Sequence, residues 1–213
     1  NSSLGNSDII LTELDTSGSI LRSAVFGSIQ NDYGVKIIRT GESYLMACVD
    51  DYNSTIGRPH FIHIDTVWNV VQNKKLINVP SGIYSVSKYM QNSFLITANG
   101  PMLYVLDSVL DFQVGMNYGI SGFNRRLHKA FAYEDGHIFA VGTNLQNPDV
   151  LVLKTDILLN AGCYSYSSIM FSTVIPAITI DTLIYALSDS GFITSEHDSI
   201  GNGIWQESIL CIS

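Results

Sequence analysis

A short apolar run ending in aspartate returns four times along this chain. IILTELD ends at Asp15, HFIHID at Asp65, MLYVLD at Asp107 and VLVLKTD at Asp156. The separations are 50, 42 and 49 residues. A period of this length marks a repeat architecture, in which each unit is one supersecondary element that buries its apolar face only against a neighbour. Three more strand-like runs follow each anchor in a constant order. The second runs are SILRSAVFG, WNVVQNKKLI, DFQVGMNYG and LLNAGCYSY; the third are YGVKIIRT, GIYSVSKYM, NRRLHKAFAYE and STVIPAITI; the fourth are SYLMACVD, SFLITAN, HIFAVGT and TLIYALSD. No window reads as an amphipathic helix of twelve or more residues.

The runs are about 6 to 9 residues long, the usual length of a strand. Many alternate, as in Ile37, Arg39 against Ile38, Thr40, which marks one buried face. The fourth runs are apolar nearly throughout, which marks a strand covered on both faces. Turn formers join them: Thr16-Ser17-Gly18, Arg39-Thr40-Gly41-Glu42, Glu134-Asp135-Gly136 and Asp189-Ser190-Gly191. A four-stranded unit with such an inner strand fits the blade of a propeller, pressed between two neighbours. The expected fold is therefore an all-β propeller of about four divergent four-stranded repeats. A single domain would cover residues 8–213 behind a tail at 1–7, with repeats of about 8–57, 58–100, 101–148 and 149–202 and a partial repeat at 203–213. With the third and fourth runs innermost, residues 8–27 complete a blade begun elsewhere. Both DIILTELD and WQESILCIS then claim one slot, so the ring is either closed by the chain termini or part of a larger propeller.

Two stretches carry a resemblance. Asp8 to Gly34 reads D-x-x-L-x-x-L-D-x-x-G-x-x-L-x-x-x-x-F-G-x-x-x-x-D-x-G, and Glu134 to Asp156 contains EDGHIFAVGT followed by DVLVLKTD. Together they resemble the β-propeller repeats of secreted and surface proteins, often bacterial. The second repeat departs from the pattern, with Asn92-Ser93-Phe94 at the turn, and the fourth lacks the F-G ending. These motifs specify turns and packing, so the resemblance implies a fold and an extracellular or cell-surface location, and is nearly silent about ligand.

Charge narrows the partners. The 213 residues include 19 acids against 11 bases, a formal charge of −8. Nucleic-acid affinity rests on Lys and Arg neutralising phosphates, and the one tight basic group, Arg125 to Lys129 (RRLHK), reads as a solvated strand edge. Nucleic acid and membrane insertion are not expected; the longest apolar runs are well short of the roughly 20 residues of a membrane span. The three cysteines stand far apart. Cys48 inside YLMACVD reads as a small buried hydrophobe, and Cys163 and Cys211 could form one disulfide. Asn1-Ser2-Ser3 and Asn53-Ser54-Thr55 are glycosylation-type triplets, with Asn1 and Asn53 as acceptors.

Chemistry-bearing groups are sparse. Asp15, Asp65, Asp107 and Asp156 fall at strand ends, where a carboxylate caps a turn by accepting backbone N–H groups. Acids cluster at Asp50-Asp51 and Glu134-Asp135, with Glu196 and Asp198 later. Paired carboxylates could serve a glycosidase, but sequence neighbours on a strand point to opposite faces. Asp50, Asp51 and Asn53 offer calcium-type oxygens without the alternating order of a calcium loop, and read as a solvated acidic loop. His60, His63, His128, His137 and His197 are scattered, and the spacing of His60 and His63 does not place both on one strand face. No catalytic residue, metal or cofactor is implied. Aromatic side chains suggest platforms for sugars or proteins: Tyr33, Tyr52, Trp68, Tyr118, Tyr133, Tyr164, Tyr166 and Trp205, with Tyr52, Trp68, Tyr118 and Trp205 as the leading contact candidates. The expectation is a non-catalytic scaffold for a protein partner, another copy of itself, or a glycan. The alternatives are a carbohydrate-active enzyme, hydrolase or lyase, with carboxylates at the propeller axis, and a segment of a self-assembling surface filament.

Overall fold

The computed structural model describes residues 7–50, 57–77, 82–90, 92–119, 125–144, 149–161, 167–168, 172–175 and 179–182. Among them no helix occurs, and strands form four antiparallel sheets. The first sheet begins with β1 (Ile9–Leu14) and β2 (Ile20–Gly27). The second holds β3 (Asp32–Arg39), β4 (Ser43–Asp50), β5 (Arg58–Asp65) and β6 (Val70–Ile77), each paired with the next. The third repeats this meander with β7 (Ile83–Tyr89), β8 (Ser93–Ala98), β9 (Met102–Leu106) and β10 (Phe112–Asn117). The fourth has β11 (Arg125–Ala132), β12 (Ile138–Asn144) and β13 (Asp149–Thr155).

The sheets stack face to face in chain order. Ala24 and Phe26 of the first sheet meet Met46, Cys48, Ile62 and Ile64 of the second. The opposite face of the second sheet, with Leu45, Ala47, Phe61 and Leu76, meets Phe94, Ile96, Ala98 and Tyr104 of the third. Leu95, Leu103 and Val105 of the third then meet Leu127, Ala130, Ile138, Ala140, Leu151 and Leu153 of the fourth. Alternation along β4 and β8 sends successive side chains into two different layers, which is why SYLMACVD and SFLITAN are apolar almost without break. Burying each Leu, Ile or Phe contributes about 1.5–3 kcal/mol, so the stack is held mainly by its layers.

One turn recurs at the four anchor aspartates. Asp15 accepts the backbone N–H groups of Ser17 and Ser19 on Oδ1, Asp65 those of Val67 and Asn69, Asp107 those of Val109 and Asp111, and Asp156 those of Leu158 and Asn160. In each, the residue three places after the aspartate donates to its carbonyl and takes a left-handed conformation: Gly18 at φ 86°, Trp68 at 71°, Leu110 at 60° and Leu159 at 66°. Glycine suits that backbone; three bulky residues tolerate it because it drives their side chains into a layer. Trp68 packs between the first and second sheets, Leu110 between the second and third, and Leu159 between the third and fourth. A Cβ at Gly18 would meet nothing within 4 Å, and there the chain uses glycine.

The end of the described chain departs from the expected fourth repeat. The run STVIPAITI reads as one strand of a further sheet. Instead β14 (Ser167–Ser168) pairs with β10, β15 (Ser172–Val174) with β6, and β16 (Thr179–Thr182) with β2. These three short strands thus lie at the edges of the third, second and first sheets in turn, beside the last strand of each meander. Open strand edges attract any segment able to complete their hydrogen bonds.

Candidate functional site

Turns from three sheets enclose a cleft of about 710 Å³. Thr40 and Gly41 come from the β3–β4 turn, Met90 and Asn92 from the β7–β8 turn, and Tyr133 and Glu134 from the β11–β12 turn. Asn92 holds φ 69°, the positive backbone angle that asparagine tolerates, and so replaces the glycine missing from the second repeat. His63 forms part of the wall: its Nε2 lies 2.7 Å from Ser43 Oγ and 3.1 Å from Thr40 Oγ1. Burial lowers the His63 pKa below the ordinary imidazole value. Phe94 and Tyr89 line the floor, and the Tyr89 hydroxyl donates to the Ile157 carbonyl at 2.8 Å. Tyr133 stands at the rim, 62% exposed, edge-on to Phe139. The lining combines aromatic side chains with hydroxyl, amide, ammonium and imidazole groups, and among the described residues Glu134 is its one carboxylate.

The opposite end of the second sheet holds a buried polar cluster. Strand register places Asp32 opposite Asp50, Cys48 opposite His60, and His60 opposite Lys75. Asp32, Asp50 and His60 are 3%, 3% and 1% exposed, and bring one carboxylate oxygen or ring nitrogen each to within 4.8 Å of one another. Asp32 Oδ2 accepts from the Ser28 N–H at 2.6 Å and from its hydroxyl at 2.9 Å. Lys75 Nζ pairs with Asp50 Oδ2. Asp50 Oδ1 and both His60 nitrogens are buried without a hydrogen-bond partner among the described residues. Burial raises the Asp32 and Asp50 pKa values, opposed at Asp32 by the Ser28 hydrogen bonds and at Asp50 by Lys75. Burial, with Lys75 nearby, lowers that of His60 to about 4, so the ring is neutral. The Cys48 thiol is free and buried, and desolvation followed by the two aspartates pushes its pKa far up.

Sequence candidates fall on both sides of this picture. Asp15, Asp65, Asp107 and Asp156 cap turns; hydrogen bonds from the Ser17 and Asn160 side chains, then from backbone N–H groups, lower the pKa of Asp15 and Asp156, and at Asp65 burial opposes a lowering by the Asn69 side chain and backbone N–H groups. Trp68 and Tyr118, read from the sequence as contact aromatics, are buried. Trp68 packs between sheets with the Arg22 guanidinium 4.0 Å over its ring, and the Tyr118 hydroxyl donates to the Leu159 carbonyl at 2.6 Å. Asp50 is not part of a solvated loop but closes β4 inside the cluster. His60 and His63 do point to different faces, one into the cluster and one into the cleft. Asn1, Asp51, Tyr52, Asn53, Cys163, Tyr164, Tyr166, Glu196, His197, Asp198, Trp205 and Cys211 lie outside the described residues. Sequence reading missed Asp32 and the convergence of the cluster. The register hid it: the pairs beside the turn, such as Arg39 opposite Tyr44, would set Asp32 opposite Asp51, and the bulge between Gly34 and Lys36 brings it opposite Asp50 instead.

Comparison with protein-family models, with curated proteins and with solved structures finds no match.

Proposed function

We propose that this chain is a non-catalytic binding scaffold of the β-propeller type, working at the cell surface or outside it, and that it holds a neutral glycan in the cleft between its turns. The cleft carries the reading. Its volume falls within the roughly 300–1,000 Å³ of small-ligand sites. Its aromatic faces suit the apolar face of a sugar ring, and its Ser, Thr, Asn and His groups suit hydroxyls. A two-carboxylate hydrolase is less well supported: among the described residues Glu134 has no acidic companion in the lining, and Asp32 and Asp50 are shut between sheets. The propeller reading is supported by blade-like meanders stacked through both faces, and the surface location by the two glycosylation-type triplets.

A panel of neutral oligosaccharides, followed by calorimetry, tests the proposal. At least one should bind, and Tyr133→Ala should weaken it more than tenfold without loss of folding, because Tyr133 is largely exposed. Silence across the panel, or unchanged binding by the variant, would contradict it. Release of shorter sugars that stops in Glu134→Gln would establish the enzyme instead.

A second reading, self-association, rests on the end faces of the stack. Ile10 of the first sheet is 57% exposed, and Val150 and Val152 of the fourth are 59% and 56% exposed. Exposed apolar sheet faces favour contact with another surface. A clean monomer by sedimentation would count against it.

A further inference from the structure

We propose that Asp32, Asp50 and His60 form a binding site for one first-row divalent metal ion, with zinc as the reference ion, between the first and second sheets. This site is independent of the turn-end cleft and of any ligand held there.

The argument starts from what is left unsatisfied. A buried polar atom without a partner costs about 1–3 kcal/mol, so native interiors rarely keep several together. Here Asp50 Oδ1, His60 Nδ1 and His60 Nε2 are all buried without a partner among the described residues, in one place. A histidine used only for packing generally engages at least one ring nitrogen. Among the described residues His60 engages neither, and it faces two carboxylates.

Charge points the same way. The Asp32 environment includes Asp8 as a second negative charge and Lys75 as a positive one; that of Asp50 includes Lys75, Asp32 and, from the exposed start of β5, Arg58. Around the layer three carboxylates therefore face two cationic side chains, one of them the exposed Arg58. A further cation offsets the remaining negative charge, and an uncompensated buried charge is costly. Lys75 supplies part of the compensation through Asp50 Oδ2, and leaves the other Asp50 oxygen to a second cation.

Donor type sets the ion. One imidazole nitrogen with carboxylate oxygens suits zinc and its first-row neighbours better than calcium or magnesium, which prefer all-oxygen sets. Ligand atoms around zinc stand about 3.4 Å apart for bonds of roughly 2.1 Å. Donor atoms already within 4.8 Å need only small side-chain rotations to close on it.

The test uses the whole chain, freed of metal with a chelator and titrated with zinc against a chromophoric competitor. The proposal expects a site of one equivalent, at least tenfold weaker in His60→Gln and in Asp50→Asn. Thermal melting provides a second readout, since an ion that binds the native state alone raises the midpoint. Lys75→Met removes the rival cation, so it should bind zinc at least as tightly as the wild type and recover its lost thermal stability when zinc is added. Unchanged zinc affinity in His60→Gln would overturn the proposal, as would wild-type and Lys75→Met midpoints that zinc does not move. Either result would leave the cluster as a buried Lys75–Asp50 ion pair only.

Discussion

Asp156 and Asn160 are tied by three hydrogen bonds. The Asn160 backbone N–H reaches Asp156 Oδ1 at 2.7 Å, its side-chain amide reaches Oδ2 at 2.9 Å, and the Asp156 N–H returns to the Asn160 carbonyl at 3.0 Å. Asp65 and Asn69 repeat the arrangement with 2.8, 3.0 and 3.0 Å. The turn, not the strand, is therefore the most faithfully repeated part of the unit. Asp156→Ala should lower stability by about 1 kcal/mol, the modest value suited to a half-exposed charged acceptor. Asp156→Asn should lose less, because an amide oxygen still accepts both backbone N–H groups. Chemical denaturation of the two variants decides the order.

The same carboxylates set the acid limb of stability. Side-chain and backbone hydrogen bonds lower the pKa of Asp15 and Asp156 below the ordinary 3.8; at Asp65 burial is the largest single influence and raises it, but the hydrogen bonds together outweigh it. A carboxyl whose folded pKa is depressed contributes stability above its unfolded pKa and loses it as pH falls through the folded value. Melting midpoints should thus show no contribution from these groups to any change above about pH 5, and a fall below about pH 4. Asp156→Asn should flatten that fall, which melting between pH 5 and 2.5 would detect. A variant curve parallel to the wild type would refute the assignment.

Leu110 offers a reversal of the usual order of substitutions. It is fully buried at φ 60°. Leu110→Ala keeps the left-handed strain and loses the packing, at a cost of about 2–5 kcal/mol. Leu110→Gly loses the same packing but relieves roughly 1 kcal/mol of backbone strain. The glycine variant should be the more stable of the two by denaturant midpoint, contrary to the rule for ordinary strand and helix positions. Gly18→Ala should destabilise by about 1 kcal/mol, since its φ of 86° is strained for alanine and there is nothing nearby to pack against.

Gly142 is fixed by contact and not by torsion. Any Cβ there would collide with the Arg126 carbonyl and the Leu127 Cα, beside the β11 bulge between Leu127 and Lys129. These are backbone atoms and cannot swing away. Gly142→Ala should cost about 1–3 kcal/mol and open the β11–β12 pairing first. Faster amide exchange in those two strands than in the second sheet would show it.

Much of this fold was legible because local chemistry and tertiary role coincide. The four aspartates are turn residues by their own hydrogen-bonding habit, and SYLMACVD and SFLITAN are apolar because both faces of β4 and β8 are covered. What the sequence hid depends on partners. Nothing in STVIPAITI says that its two halves pair with β6 and β2, since an edge accepts any extended segment. Trp68 looks like a contact residue until its left-handed backbone turns it inward. The Asp32, Asp50 and His60 cluster follows from strand register, and a slip of one residue would scatter it.

The stacking of four sheets through shared layers is the claim on which everything else rests, and residue-resolved hydrogen exchange measures it directly. The account predicts the slowest amides in β4, β5, β8 and β9, whose sheets are covered on both faces, and faster exchange in β1 and β13 at the ends of the row. Uniformly fast exchange, or greatest protection in the first and fourth sheets, would contradict it.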